Sequence, residues 1–238
     1  MSMSRIGYHT AASAIISYQD AMDITANNIA NVNTVGFKAG RPDFADLLYT
    51  ERNVDNTVQT GHGVKVDKTS VMYEQSALRN TGRMLDFAAM DDGFFAVQTN
   101  QGDVRYTKDG AFYANNDGLL RDSNGGLVLD YDGNPVNVPF ENDLINYTEL
   151  KNLIGVYKFE NPYGLDQDGL NYYVSNESSG EAVADEGVEK KQGYVELSST
   201  NLANEMSHVI EYQRAFQLNS SVLRIHDQLE EKINNLRS

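Results

Sequence analysis

NNIANVNTVGFK, residues 27–38, puts four asparagines into seven positions at the end of a segment that otherwise reads as a helix. Asparagine is a weak helix former, so this turn needs contacts from the rest of the fold or from another chain to be ordered. Asn27 and Asn31 are four apart and Asn28 and Asn31 three apart, which sets their amides on neighbouring faces of the last turns. Each carboxamide both donates and accepts. The pattern suits a contact in which a helix end meets a neighbour's polar groups without burying charge, and it equally suits an ordinary polar helix end. Gly36 fits a left-handed stop at C′, with Phe37 at C″ folding back toward Val32. A β-branched residue at Gly36 is then expected to harm assembly more than the folding of the regions beyond.

Upstream, Tyr8, Ala11, Ile15, Tyr18, Met22, Thr25, Ile29 and Val32 follow alternating steps of three and four, the heptad seam of a helix. At the other end of the chain, Leu202, Met206, Val209, Phe216 and Leu223 make a similar stripe, and Val222, Ile225, Leu229, Ile233 and Leu236 continue on a rotated face. One stripe satisfies one partner, whereas two faces suggest more than one. The alternative is a pair of amphipathic helices covering a globular core. Ser199, Thr200 or Asn201 can cap the second helix, with Glu205 near the positive end of its dipole. A helix of about 30 residues is roughly 45 Å long, more than a small β domain needs for its own covering. On the seam a charge at Met22 is expected to be damaging, where one at Asn56 is tolerated.

Between the helices, over residues 67–195, the period changes. FFAVQT, VRYT, AFYA, LLR, LVL and VNV are short β-prone runs separated by NQGD, KDG, NNDG, DSNGG and DYDGN, in which Asn, Asp and Gly supply turn chemistry. IGVYKF and NYYVS are two further β-prone pieces, and SNESSGEAVADEG (175–187) reads as a solvated loop. The reading is therefore α+β: N- and C-terminal helices forming a coiled-coil pair with an inserted, mainly antiparallel β domain. Its divisions are residues 1–38 with 200–238 as the helical domain, 39–66 as an extended linker and 67–199 as the β domain.

Composition narrows the function. The 238 residues carry a formal net charge of −15 and no basic stripe, which argues against nucleic acid. Residues 1–38 sum to zero and 200–238 to −1, so the middle holds the rest. Neutral ends can crowd against copies of themselves with little repulsion, while an acidic middle stays solvated. There is no cysteine, so disulfides and thiolate chemistry are excluded without fixing a compartment. The first residues have neither an apolar core of a secretory signal nor a run long enough to span a bilayer, so export is expected to need no cleaved peptide and stable membrane insertion is not expected.

Catalytic and metal signatures are missing. His9, His62, His208 and His226 are scattered with no H-x-x-x-H pair, and the nucleophile-elbow and phosphate-loop motifs do not occur. The acidic turns at Asp130–Asn134 and Asp166–Asn171 break the calcium-loop register with a glycine at the fourth position. Three N-x-[ST] sequons, at Asn146, Asn176 and Asn219, suit chance in an Asn-rich chain. No catalytic residue, cofactor or metal site is assigned. A secreted oligomeric β-domain binder of carbohydrate or calcium is the alternative of a different class, with Tyr106, Phe112 and Tyr113 as its candidate stacking residues.

MDITANNIANVNTVGFKAGRPDFADLLY resembles the N-terminal signature of the flagellar basal-body rod and hook family, whose core reads A-N-N-I-A-N-x-x-T-x-G-[FY]-K. TGRMLDFAAMDDGFFAVQTNQGDVRYTKDGAF resembles the family's middle motif, and VELSSTNLANEMSHVIEYQRAFQLNSSVL its C-terminal motif, in the right order along nearly the whole chain. The short length is most similar to the distal and proximal rod members (FlgG and FlgF types); a short hook-type protein is the runner-up. Two departures stand out: the stretch between Leu48 and Gly61 is short, and the segment after Val138 lacks a further β-hairpin. The resemblance implies a non-enzymatic axial subunit of the bacterial flagellum, passed through the type III export apparatus and lying outside the cytoplasmic membrane. It implies polymerisation into a helical tube that transmits torque for motility, among other rod, hook and ring proteins. Residues 6–33 and 201–236 would form the inner coiled coil. The assembly-interface candidates are Ile15, Met22, Asn27, Asn28, Ile29, Asn31, Gly36, Phe37, Met206, Val209, Phe216, Leu223 and Leu229.

Overall fold

The computed structural model describes residues 2–51, 59–141 and 144–236; Asn56 lies outside them. Helix α1 (Ser2–Ala30) is followed by β1 (Gly40–Asp46), β2 (Tyr49–Glu51), β3 (Gln59–Gly61) and β4 (Val64–Val71). Then come β5 (Leu78–Asn80), β6 (Phe87–Ala89), β7 (Phe94–Gln98), β8 (Val104–Thr107), β9 (Tyr113–Ala114), β10 (Leu120–Arg121) and β11 (Leu127–Val128). The short hairpin β12 (Phe140–Glu141) and β13 (Leu144–Ile145) leads to α2 (Tyr147–Leu153). The remaining strands are β14 (Val156–Lys158), β15 (Asp166–Gln167), β16 (Tyr173–Val174), β17 (Val183–Ala184), β18 (Lys190–Gln192) and β19 (Tyr194–Glu196), before α3 (Leu202–Asn235). Among the described residues the strand pairings are all antiparallel, and the class is α+β.

Two compact units divide the chain. Met1–Ala30, Gly40–Val71 and Asn201–Ser238 make the first; Asn31–Ala39 and Met72–Thr200 make the second. The division differs from the sequence reading at both ends of the expected linker. The described residues between 40 and 71 are largely strand, with β1 and β4 paired from Gly40–Val71 to Asp46–Val64 through a bulge at Asp43/Phe44. Residues 31–39 belong with the β unit.

In the first unit, α1 buries a stripe of small residues, Ala11, Ala14, Ser17, Ala21, Thr25 and Asn28. Small side chains let backbone come close: Ser17 Oγ donates to the Val64 carbonyl of β4 at 3.0 Å, and Gly63 sits where a Cβ would strike Ser13. Helix α3 runs antiparallel to α1, Tyr18 meeting Tyr212 and Tyr8 meeting His226. Asn201 caps α3, its Oδ1 accepting from the Ala203 and Asn204 amides at 3.1 and 3.3 Å.

In the second unit, the main sheet runs β15-β16-β8-β7-β11-β10-β9, with β14 joining β7 and β17 joining β14. FFAVQ of β7 is its axis. One edge of β7 pairs with β8, while the other is shared between β14 at Phe94/Phe95 and β11 at Val97/Gln98. Its first four residues are buried, as a continuous apolar run covered on both faces requires. Phe87, Phe95, Phe112, Leu120, Val128, Leu150 and Ile154 pack into one core, with Phe95 and Phe112 edge to face at 5.2 Å. Gly118 and Gly133 turn at positive φ in the NNDG and DYDGN loops.

One helix lies inside the β region, and two local readings need correction. Residues 147–153 form a helix, capped by Asn146 and anchored by fully buried Leu150, because one capped turn with one inward leucine outweighs the β-prone context. A hairpin does follow Val138: Phe140 and Ile145 pair across it. Within 175–187, Val183 and Ala184 add a strand to β14, where exposed edge pairing needs no apolar periodicity. Among the described residues, no helix is long and apolar enough to cross a membrane.

Candidate assembly surface

Helix α3 packs along one stripe in the first unit. Glu205, Val209, Tyr212, Phe216, Asn219, Leu223 and His226, spaced four and three apart, are buried or half-buried and form the stripe that includes the contacts to α1. Tyr212 also lies 6.2 Å from Phe44 of β1, which in turn lies 5.8 Å from Tyr18, so three rings close a triangle between the helices and the hairpin. Beyond the two ends of this stripe and around the rest of the helix, apolar side chains are exposed. Leu202, Met206, Ile210, Leu218, Val222, Ile225, Leu229 and Ile233 are each 40% or more exposed, far beyond the scattered single residues that a soluble surface ordinarily carries.

The interface candidates therefore separate. Val209, Phe216 and Leu223 lie on the inner stripe, while Met206 and Leu229 are exposed. On α1, Ile15, Met22 and Ile29 are half-buried within the unit. Asn27 is exposed, whereas Asn28 is 2% exposed and turned into its own chain: its Nδ2 donates to the Gly40 carbonyl at 2.7 Å and its Oδ1 accepts from the Gly40 amide at 2.9 Å. Asn31 Oδ1 accepts from Thr34 Oγ1 at 3.1 Å.

Gly36 has φ +66°, in the left-handed region expected of it, but the helix has already ended six residues earlier. Its amide donates to the Glu196 carbonyl at 2.8 Å rather than to a helix carbonyl. A Cβ there would lie 2.5 Å from the carbonyl carbon of Lys108. Gly36 is thus a close-approach residue of the β unit, and not the helix stop.

Around Gly36 three distant stretches meet. Lys38, fully buried, donates from Nζ to Glu196 Oε1 at 2.6 Å and to the Glu74 carbonyl at 2.7 Å. Glu196 Oε1 also accepts from the Ser76 amide at 2.7 Å. The Ser199 amide donates to the Phe37 carbonyl at 2.9 Å, and the Ala39 amide to Ser199 Oγ at 2.7 Å. Lys108 is buried too, donating to the Asp91 carbonyl at 2.6 Å with its Nζ 4.9 Å from the centre of the Phe94 ring. Burial pushes its amine down to about 8, against the opposing charge of Glu196. GFK, YTKDG and VELSS, read separately as sequence, are one side-chain cluster in space.

Comparison with known proteins bears on these same stretches. The family model described as "Flagella basal body rod protein" matches residues 9–38, "Flagellar hook protein FlgE/F/G D1 domain" matches 89–151, and "Flagellar basal body rod FlgEFG protein C-terminal" matches 191–236. The "Flagellar basal-body rod protein FlgG" of Borreliella burgdorferi is 33% identical over 257 aligned positions, covering 96% of this chain and 97% of the relative. The chain belongs to the flagellar basal-body rod protein family. It is a structural rod-type protein of the bacterial flagellum. The rod protein FlgG of Bacillus subtilis is 32% identical with 96% and 98% covered, and that organism's "Flagellar hook-basal body complex protein FlhP" is 28% identical with the same coverage. Lys38 ends the N-terminal family match, Lys108 falls in the middle one and Glu196 in the C-terminal one.

Of the binder's candidate residues, Phe112 is fully buried and Tyr106 nearly so, packed against Phe159 at 4.9 Å. Only Tyr113 reaches the surface. Asp130 Oδ1 is occupied by the Asp132 and Asn134 amides, an ordinary aspartate turn. Sequence reasoning missed Tyr212, His226, Lys38, Lys108 and Glu196. A strict three-four count from Val209 lands on Tyr212 and would have found it; nothing local marks the buried lysines.

Proposed function

We propose that the chain is an axial subunit of the flagellar rod that polymerises into a helical, torque-transmitting tube through its terminal helices. The observation that carries this reading is the set of exposed apolar side chains along α3, a 34-residue helix that one chain leaves partly in water. At about 1.5 Å per residue the helix is some 50 Å long, enough to meet several neighbours. In the polymer α1 and α3 act as a coiled-coil layer, with the acidic β unit solvated.

In this role the protein is not an enzyme. It works outside the cytoplasmic membrane after passage through the export apparatus, alongside other rod, hook and ring proteins. The test is genetic and physical. Cells lacking the gene are expected to make no hook or filament and to regain both on complementation, and the purified chain is expected to form fibres at high concentration under the electron microscope. A swimming null mutant, or a chain that stays monomeric at every concentration, would overturn the reading.

A further inference from the structure

Three turns of the second unit enclose a cavity of about 270 Å³. Asn100 and Gln101 come from the turn between β7 and β8, Asn124 from the turn between β10 and β11, and Asp168, Leu170 and Tyr172 from the connection of β15 to β16. Hydrogen bonds fasten these turns. Arg105 of β8 donates from Nε to Asp168 Oδ2 at 2.6 Å, Asn124 Nδ2 donates to the Leu170 carbonyl at 3.0 Å, and the Tyr172 hydroxyl donates to Asp122 Oδ2 at 2.5 Å. The walls are therefore held by bonds inside one unit.

Leu170 is the residue out of place. It is 71% exposed and stands at φ +49°, between Gly169 at +74° and Asn171 at +63°. Glycine and asparagine adopt left-handed backbone readily, whereas leucine is strained there. Neither the strain nor an apolar side chain held in water serves the fold, and such outliers gather where a ligand is met.

The chemistry of the lining narrows what that ligand is. Arg105 and Asp168, its charged residues, neutralise one another, so it offers an ion no net attraction. Asn100 and Gln101 are exposed and hold no side-chain hydrogen bond among the described residues, which leaves both carboxamides able to donate and accept. Thr99 also lines the cavity, and its Oγ1 has no partner, so turning it to a ligand breaks no bond. Leu170 and the Tyr172 ring supply the apolar share. A matching guest is uncharged, carries hydroxyls that donate and accept, and has a C–H face. Just under the usual size of ligand cavities, roughly 300–1,000 Å³, the space admits a single ring. We propose that this cavity binds one uncharged sugar ring, its hydroxyls on Asp168, Asn100 and Gln101 and its C–H face against Leu170. The site stands or falls separately from polymerisation.

The experiment follows amide chemical shifts of the isotope-labelled full-length chain during titration with methyl glucoside, methyl galactoside and N-acetylglucosamine. Glycerol, which has hydroxyls but no ring face, is the control. At least one sugar is expected to shift the amides of residues 99–101 and 169–171 saturably, with a Kd in the millimolar range for so small a guest, and glycerol is not. Leu170→Gly removes the apolar contact and relieves the backbone, so binding is expected to weaken about ten-fold while the melting temperature holds. Gln101→Ala, on an exposed turn, is expected to weaken binding with the fold intact. The proposal is overturned if no sugar gives saturable shifts at these amides, if glycerol gives the same ones, or if Leu170→Gly binds as tightly as the wild type.

Discussion

Asn28 and Gly40 exchange two hydrogen bonds, Nδ2 to the Gly40 carbonyl at 2.7 Å and the Gly40 amide to Oδ1 at 2.9 Å. The side chain of a helix residue thereby plays the part of a neighbouring strand at the first residue of β1. Replacing Asn28 by Leu leaves both Gly40 groups unmet at about 1–3 kcal/mol each at most, so a loss of roughly 2–4 kcal/mol is expected in chemical denaturation. Asn28→Asp should be rescued by acid. An ionised carboxylate cannot donate to the Gly40 carbonyl, whereas a protonated one can, so that variant's stability relative to wild type should rise as pH falls toward 4. A flat difference between pH 7 and 4 would remove the pairing from the account.

Gly36 makes a prediction opposite to its reading as a helix stop. Left-handed φ costs a residue with a side chain about 1–2 kcal/mol, and a Cβ 2.5 Å from the Lys108 carbonyl carbon must also push backbone aside. Gly36→Ala is expected to lower the melting temperature of the β unit itself, with Gly36→Val worse. Near-ultraviolet circular dichroism, which reports the tyrosines of the sheet, follows it directly. Loss of assembly with an unchanged β unit would restore the helix-stop reading.

Lys108 gives a pH dependence with a defined sign. Its folded-state value of about 8 lies below the ordinary lysine value of 10.5, so the unfolded chain holds the proton more tightly. Stability contributed through this group therefore rises between pH 8 and 10.5 and is lowest below pH 8. Lys108→Met should abolish that rise. The difference between wild type and variant, measured by denaturation at pH 7 and pH 10, should shift by about 1–3 kcal/mol in favour of the wild type at the higher pH. An unchanged difference would mean that Lys108 titrates like a solvated amine.

Much of this architecture was legible because helices and hairpins announce themselves locally. The three-four spacing from Tyr8 to Val32 and the Asn-Asp-Gly turns after each short β run need only neighbours to be read. What stayed hidden depends on distance in the chain. Lys38 and Lys108 look like surface lysines until Glu196 and the Asp91 carbonyl are placed beside them. The asparagines of the opening stretch were ambiguous for the same reason: Asn28 turns inward to Gly40 while adjacent Asn27 is exposed, and no spacing rule separates two neighbours on one turn. The exposed apolar residues of α3 were legible from Val222 onward. The first stripe joined exposed Met206 to half-buried Val209, since a list with 212 omitted does not reveal its own axis.

The exposed apolar residues of α3 carry the last prediction. Leu229 is 54% exposed and Ile225 58%, whereas Tyr212 and His226 are half-buried with their rings against Tyr18 and Tyr8 of α1. Leu229→Asp and Ile225→Asp place a charge where water already reaches, so the melting curve of the monomer should stay within about 0.5 kcal/mol of wild type. If these positions are covered by neighbouring copies in the rod, the same charge is buried on assembly without a partner and costs several kcal/mol per subunit contact. Fibres and motility should be lost while the subunit remains folded. Met22→Asp is the contrast: Met22 is half-buried within its own unit, so the charge should lower monomer stability as well as assembly. Motile cells carrying Leu229→Asp, with fibres forming at the wild-type concentration, would show that this position faces solvent in the rod, and subunit contacts would then have to be sought on the hairpin or the β unit.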